Sequence, residues 1–165
     1  MTICDFEIRP AVTADFGQLC DLFRELDDLH RQARPDLFRK LDGPPREFAD
    51  VESLIAGPES TILLAEDRML RQVIGFETLI LRDIVAHGVR RTRRIVEIDN
   101  LGVRNDARRR GVGRALVQEA FGWSADLGCA GVELTVYAFN AAAVSFYEKI
   151  GFATVTRRLG APVAK

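Results

Sequence analysis

Residues 108–114 read RRRGVGR and place four arginines and two glycines between two apolar stretches. The preceding stretch, IVEIDNLGV (residues 95–103), is typical of a strand, and the following one, ALVQEAFGW (residues 115–123), repeats apolar side chains at helical spacing. A solvated loop can carry arginines for solubility alone. A glycine loop between a strand and a helix instead favours a segment that holds a ligand with several negative charges.

The N-terminus of the helix that follows RRRGVGR has the properties of an anion-binding site. The first amides of a helix have no acceptor within it, and they carry partial positive charge. Glycine at positions 111 and 113 lets the backbone approach a phosphate closely, and arginine adds forked donors. The stretch has neither the Gly-Lys-Ser/Thr of a P-loop nor the third glycine of a dinucleotide fingerprint.

Composition narrows the class of protein. The 165 residues suit one domain, 1–165, and a hydrophobic content of 47% predicts a packed core. A net charge of −1 argues against a nucleic-acid partner, and no apolar run reaches the roughly 20 residues that cross a bilayer. Without a signal-peptide pattern, and with Cys4, Cys20 and Cys129 read as buried free thiols, a cytoplasmic location is expected. The spacing of the cysteines and of the two histidines predicts no metal site.

Periodicity along the chain predicts strands interrupted by helices, and therefore a layered α/β or α+β domain. One helix begins near Asp15, which with Gln18 resembles a capping box, and Gly128 is expected to end another. The predicted helices cover about 15–29, 46–57, 112–127 and 141–150. The predicted strands are 4–11, 61–66, 72–84, 94–103, 131–137 and 152–158.

Two segments resemble one known family. LGVRNDARRRGVGRALVQEA (residues 101–120) resembles the acetyl-CoA-binding motif of the GCN5-related N-acetyltransferases (GNAT), in which Arg/Gln-x-x-Gly-x-Gly/Ala opens a helix. NAAAVSFYEKIGF (residues 140–152) resembles a second motif of that family further along the chain. Both occur in the family's order, and the close resemblance covers residues 94–157. It implies an α/β (α+β) fold with a mixed, mostly antiparallel central sheet flanked by helices, and a splayed strand pair for the cofactor.

The resemblance implies acetyl-CoA as co-substrate and no metal. Backbone amides of residues 109–114 would hold its pyrophosphate, while Leu101 and Val103 would bind the pantetheine arm through their backbone. Gly102 would permit an irregular strand between them. The implied cofactor-binding residues are Leu101, Gly102, Val103, Arg108, Arg109, Arg110, Gly111, Val112, Gly113, Arg114, Asn140, Ala143 and Tyr147.

Three side chains are candidates for the chemistry. Tyr147 lies seven residues after Asn140, so the two share a helix face, and the resemblance implies that Tyr147 protonates the leaving thiolate. Alternatively, Tyr147 only packs in the core. Glu97 and Asp99 alternate along a strand and are expected on one face, where either could deprotonate an amine. They could equally bind a cationic substrate or form an exposed polar face.

The expected protein is an N-acetyltransferase that transfers acetyl from acetyl-CoA directly to a primary amine in a ternary complex. Two alternatives stay open: another acyl-CoA as donor, or a non-catalytic acyl-CoA-binding regulatory module. The acceptor is a small-molecule or peptide amine, with neither nucleic acid nor membrane as partner, and a homodimer is left open. A second basic stretch, VRRTRR (residues 89–94), is read as a solvated loop because no aromatic residues are interleaved with it.

Overall fold

The structure, a computed structural model, describes residues 5–161 and residue 163. Contacts divide the chain into two compact units, one ending at Thr135 and the other beginning at Val136. The first unit holds β1 (Phe6–Pro10), α1 (Phe16–Ala33), α2 (Phe48–Ala56), β2 (Ser60–Asp67), β3 (Val73–Ile84), β4 (Arg93–Val103), α3 (Val112–Asp126) and β5 (Val132–Leu134). The second unit holds α4 (Ala141–Lys149).

The five strands form one mixed sheet in the order β1-β2-β3-β4-β5. Neighbours pair antiparallel from β1 to β4, whereas β5 joins β4 in parallel after the α3 crossover. The pairing with β5 ends at Ile98 opposite Leu134, while β4 continues to Val103. This is the mixed, mostly antiparallel α/β fold that the family resemblance implies. β4 extends beyond the end of its parallel neighbour β5, where the splayed pair was expected.

Helices cover both faces of this sheet because successive strand residues alternate between them. On one face, Phe76 and Leu64 pack with Leu19 and Phe23 of α1 and Val51 of α2. On the other face the buried residues come from the strands and from the first turns of α3; they include Ala65, Ile74, Val112 and Leu116. The start of α3 is therefore held directly against the sheet.

The predicted capping box at the start of α1 is wrong. The Asp15 carboxylate accepts two hydrogen bonds from Arg9, both of 2.8 Å, and one from the Val12 amide. The Gln18 side chain accepts a hydrogen bond from the amide of Val73, at the start of β3. Both side chains join α1 to the sheet. Residues at capping-box spacing therefore make long-range contacts instead of capping the helix.

The predicted last strand, residues 152–158, is also wrong, because residues 152–161 form neither helix nor strand. Residues 153–161 are exposed, and a strand is stable only when a neighbour satisfies its backbone groups. The predicted strand 131–137 is shortened to Val132–Leu134. In contrast, Gly128 ends α3 in the left-handed conformation (φ +63°), as predicted.

Two of the three cysteines lie in the described part of the chain, and both are free thiols. Cys20 is buried, which raises the pKa of its thiol, whereas Cys129 is only half-buried. Cys4 lies outside the described residues. Among the described helices, none is both long enough and apolar enough to cross a bilayer.

Candidate active site

The loop before α3 forms an open cradle of backbone groups. Gly111 is the N-cap of α3 and has φ +88°, a conformation that favours glycine. Ala115 N–H donates to Gly111 C=O and is the first donor within the helix, so the amides of residues 111–114 have no acceptor inside it. A Cβ built on Gly111 would meet no atom within 4 Å. Amides without an acceptor at a helix N-terminus, beside a residue with open space around it, fit a diphosphate.

The arginine side chains of this loop are less available than the sequence suggests. Arg108 donates through Nε to the carbonyl of Val103 (3.1 Å) and lies 3.8 Å from Glu25. Arg110 forms an ion pair of 3.3 Å with Asp67, a residue of β2. Two of the four arginines therefore fasten the loop to α1, β2 and β4, which leaves the backbone as its main anion-binding element.

The end of β4 directs two amides away from β3. Arg104 N–H donates to Ile74 C=O of β3, and amides alternate in direction along a strand. The amides of Leu101 and Val103 therefore point to the edge where β5 has already ended. These are the two positions that the sequence assigns to the pantetheine arm.

Gly102 has a different role from the predicted one, because the strand is regular there and pairs with Phe76. A Cβ on Gly102 would lie 2.6 Å from the Phe76 ring, so glycine makes room for that ring. The irregularity falls earlier in β4. Thr78 pairs with Asn100 and Leu79 with Ile98, which leaves Asp99 as the extra residue of a bulge.

Glu97 lies on the sheet face that α1 and α2 cover. It pairs with Ile80, which follows Phe76 and Thr78 on alternate positions of β3. Arg82 donates through Nε to its carboxylate at 2.6 Å, also on this face. Asn100 lies opposite Thr78 and shares the face, because the bulge at Asp99 shifts the alternation of side chains by one residue.

Asp99 has a more basic carboxylate than an ordinary aspartate. Partial burial is the main cause of its raised pKa, and the like charge of Glu97 adds to it. Arg82 and Arg46 oppose the rise, as does Asn100, whose amide donates to Asp99 at 2.5 Å. The carboxylate remains accessible to solvent. The structure thus brings Arg82 into contact with Glu97, while the charge of Arg46 acts on Asp99 from further away. Sequence reasoning missed both arginines because they lie far from this strand in the chain.

Glu77 is another carboxyl that the sequence did not single out. It lies on β3 between Leu63 and Leu101, two residues packed against the α3 cluster, and its side chain is fully buried. Among the described residues neither of its oxygens has a hydrogen-bond partner. Burial, with a smaller contribution from Glu119, raises its pKa to about 9, so it is neutral at pH 7. In the sequence, only the position of Glu77 within an apolar strand could have indicated a buried, neutral carboxyl.

The remaining predicted residues lie in the second unit. Asn140 is the N-cap of α4, and its side-chain oxygen accepts a hydrogen bond of 3.2 Å from the Ala143 amide. Asn140 thus caps the helix that carries Tyr147. Tyr147 is half-buried, and its ring makes edge contacts with Phe146 and Phe152.

Solved structures share this fold across almost the whole chain. A tetramutant of the BH1408 protein from Bacillus halodurans has a TM-score of 0.90 at 24% identity, covering 95% of this chain and 99% of that one. An aminoglycoside 6'-N-acetyltransferase, AAC(6')-Ih from Acinetobacter baumannii, has a TM-score of 0.71 at 18% identity, covering 97% and 99%. The aminoglycoside N-acetyltransferase AAC(6')-Iy, in complex with CoA, has a TM-score of 0.72 at 18% identity, covering 96% and 94%.

Family membership rests on the sequence match. Comparison with curated protein sequences gives no match. Residues 23–152, most of the chain, match the model of the acetyltransferase (GNAT) family. That span includes the α3 loop, the Glu97–Asp99 strand and both motifs. The chain belongs to the GNAT family of acetyltransferases.

Proposed function

We propose that this chain is an N-acetyltransferase, working as one GNAT domain over residues 1–165, that transfers acetyl from acetyl-CoA to a primary amine. The observation that carries the proposal is the course of β4. One strand presents Glu97 on the α1 and α2 face with Asp99 in the bulge beside it, then frees the amides of Leu101 and Val103, and then leads into the loop at Gly111. Cofactor groups and acid–base groups are thus joined by a few residues of rigid backbone.

The donor side of the site uses backbone groups. The amides of residues 111–114 hold the diphosphate of acetyl-CoA, and those of Leu101 and Val103 hold its pantetheine arm and polarise the thioester oxygen. Acetyl-CoA supplies an activated thioester when bound. Arg108 and Arg110 contribute by holding the loop in shape through Val103 and Asp67.

Asp99 is the favoured base for the acceptor. An amine must lose a proton before it attacks, and an acid with a raised pKa accepts that proton better at neutral pH. Asp99 has a raised pKa and is accessible, whereas the Glu97 carboxylate is paired with Arg82 at 2.6 Å. Asp99 therefore takes the proton directly or through one water, and Glu97 keeps Arg82 from neutralising Asp99.

Tyr147 is the proposed acid for the departing thiolate, as the family motif at residues 140–152 implies. Direct transfer in a ternary complex needs no acetylated cysteine. Cys20, the one described cysteine that is buried, has a thiol whose raised pKa makes it a poor nucleophile. The acceptor is a small-molecule amine, as the names of the aminoglycoside acetyltransferases above indicate for those proteins.

The test is release of CoA thiol from acetyl-CoA by the full-length protein across a panel of primary amines. Acetyl transfer predicts amine-dependent thiol release and an acetylated product of matching mass. Faster release from a longer acyl-CoA would replace acetyl as the donor group. Tight CoA binding without release for any amine would indicate a non-catalytic acyl-CoA-binding module instead.

A further inference from the structure

A cavity of about 460 Å³ lies between α1 and the loop of residues 34–47. Its walls combine charged side chains of both segments with apolar groups of the loop, among them Phe38 and Leu41. Every lining residue belongs to the first unit. A volume of this size accommodates a small molecule.

The walls of this cavity carry more positive than negative charge. Five lining residues are cationic, namely Arg24, Arg31, Arg39, Lys40 and Arg46, and two are acidic, namely Asp27 and Asp28. The whole protein has a net charge of −1. The excess of cations is therefore local to the cavity.

Both acids of the cavity are already paired. Arg31 lies 2.9 Å from Asp28, and Arg46 lies 2.9 Å from Asp27. Arg39 and Lys40 are exposed, and within residues 5–161 neither has an acidic partner. Two positive charges thus remain uncompensated beside an apolar wall.

Arg46 connects this cavity to the proposed base. Its guanidinium lies 4.5 Å from the ring centre of Phe23, a residue packed under the sheet face that carries Glu97. The same charge acts on the carboxylate of Asp99. The cavity is consequently on the side of the sheet that α1 and α2 cover, which is also the side of Glu97.

We propose that the cavity binds an anionic group of the acceptor, so that the substrates are amines that also carry a carboxylate or a phosphate. This inference rests on the proposed function. Arg39 and Lys40 neutralise the anion, Phe38 and Leu41 contact the carbon chain, and the amine extends towards Asp99. A polycationic amine is disfavoured, because it would bring positive charge against two unpaired cations.

The first experiment compares four short amines that differ in the charge at the end away from the reacting nitrogen. They are butylamine, γ-aminobutyrate, aminopropyl phosphate and putrescine, a diamine, each assayed with acetyl-CoA and the full chain. We expect kcat/KM for the anionic amines to exceed that for butylamine by about 10-fold, the effect of one charge-assisted hydrogen bond. We expect the diamine to be the poorest substrate. The carboxylate and phosphate arms identify which anion is preferred.

Variants assign the preference to the cavity. In Arg39→Gln/Lys40→Gln we expect the ratio of kcat/KM between γ-aminobutyrate and butylamine to fall to about threefold or less, because the carboxylate substrate binds more weakly and its KM rises. The control Arg90→Gln/Arg91→Gln removes the same charge from the exposed loop between β3 and β4 and should keep the wild-type ratio. Equal kcat/KM for charged and neutral amines, preference for the diamine, or an unchanged ratio in the cavity variant would overturn the proposal.

Calorimetric titration separates this proposal from the proposed function. If the protein is not an acetyltransferase, no amine releases thiol, yet γ-aminobutyrate or aminopropyl phosphate should still bind in the presence of CoA. That binding should weaken about 10-fold in Arg39→Gln/Lys40→Gln. Absence of binding by both anionic amines would overturn the anionic cavity itself.

Discussion

Asp99 is a candidate base from the sequence pattern, and its surroundings in the structure raise the pKa of its carboxyl. In Asp99→Asn, we expect turnover to fall by about 10²-fold or more and the rising limb of its pH profile to disappear. The raised pKa sets the direction, since the carboxylate becomes a base only above that pKa and activity rises with pH through it. The rising limb should therefore lie above the range of an ordinary aspartate.

Glu97→Gln is the matched control for the base. It removes a like charge beside Asp99 and also releases Arg82 from its 2.6 Å pair. Both changes lower the pKa of Asp99, so the rising limb should move to lower pH while activity persists. A rising limb that is lost in Glu97→Gln and kept in Asp99→Asn would reverse the two assignments.

The hydroxyl of Tyr147 is the other single group with a proposed catalytic role. Tyr147→Phe keeps the ring, and hence its contacts with Phe146 and Phe152. We expect turnover at saturation to fall by about 10²-fold, with little change in CoA affinity measured by calorimetry. The free energy of unfolding should fall by no more than about 1 kcal/mol. Intact turnover with a large loss of stability would assign the hydroxyl a structural role.

At the scale of an element, the start of α3 is the decisive feature for CoA. Gly111→Glu places a carboxylate where the diphosphate approaches. This carboxylate repels the diphosphate and competes with it for the positive end of the helix. We expect CoA affinity, measured by calorimetric titration, to fall by at least about 100-fold, which corresponds to roughly 2.7 kcal/mol.

Gly128→Glu provides the matched control at the other end of α3. Gly128 also has a positive φ, and a Cβ there would also meet no atom within 4 Å. Both substitutions introduce the same charge and a similar backbone strain, and the negative charge is less favourable at the C-terminal end, so Gly128→Glu should destabilise the fold at least as much as Gly111→Glu. A loss of CoA affinity in Gly128→Glu, or unchanged affinity in folded Gly111→Glu, would refute the assignment of the cradle.

At the scale of the whole molecule, Glu77 makes stability depend on pH. The buried carboxyl holds its proton up to about pH 9, whereas in the unfolded chain it ionises near its ordinary value. Between these values the folded state binds one more proton than the unfolded state. The free energy of unfolding should therefore fall with rising pH, by up to about 1.4 kcal/mol per pH unit from this group.

Chemical denaturation of wild type and Glu77→Gln at pH 5.5, 7 and 8.5 measures this contribution. Glutamine keeps the size of the side chain but cannot ionise, so the variant should gain stability over wild type as pH rises. Glu119→Gln changes the exposed neighbour and should leave most of the slope in place. Parallel pH dependences of wild type and Glu77→Gln would mean that Glu77 is ionised in the folded protein.

Sequence alone determined the features that depend on local backbone geometry. The left-handed glycine at 128, the start of α3 and the strand that carries Glu97 are all predictable, because each follows from neighbours a few residues away. The two GNAT motifs are local for the same reason, since a diphosphate cradle needs glycines and a helix start at fixed spacing.

Only the tertiary structure decided which polar groups meet. It drew Gln18 to Val73, Arg110 to Asp67 and Arg46 to Asp27, contacts that no local pattern encodes. It also placed the bulge at Asp99 and left residues 152–161 without a strand, because register and pairing depend on neighbouring strands. The pKa values of Glu77 and Asp99 follow from the same cause, since burial and nearby charge are set by segments distant in the chain.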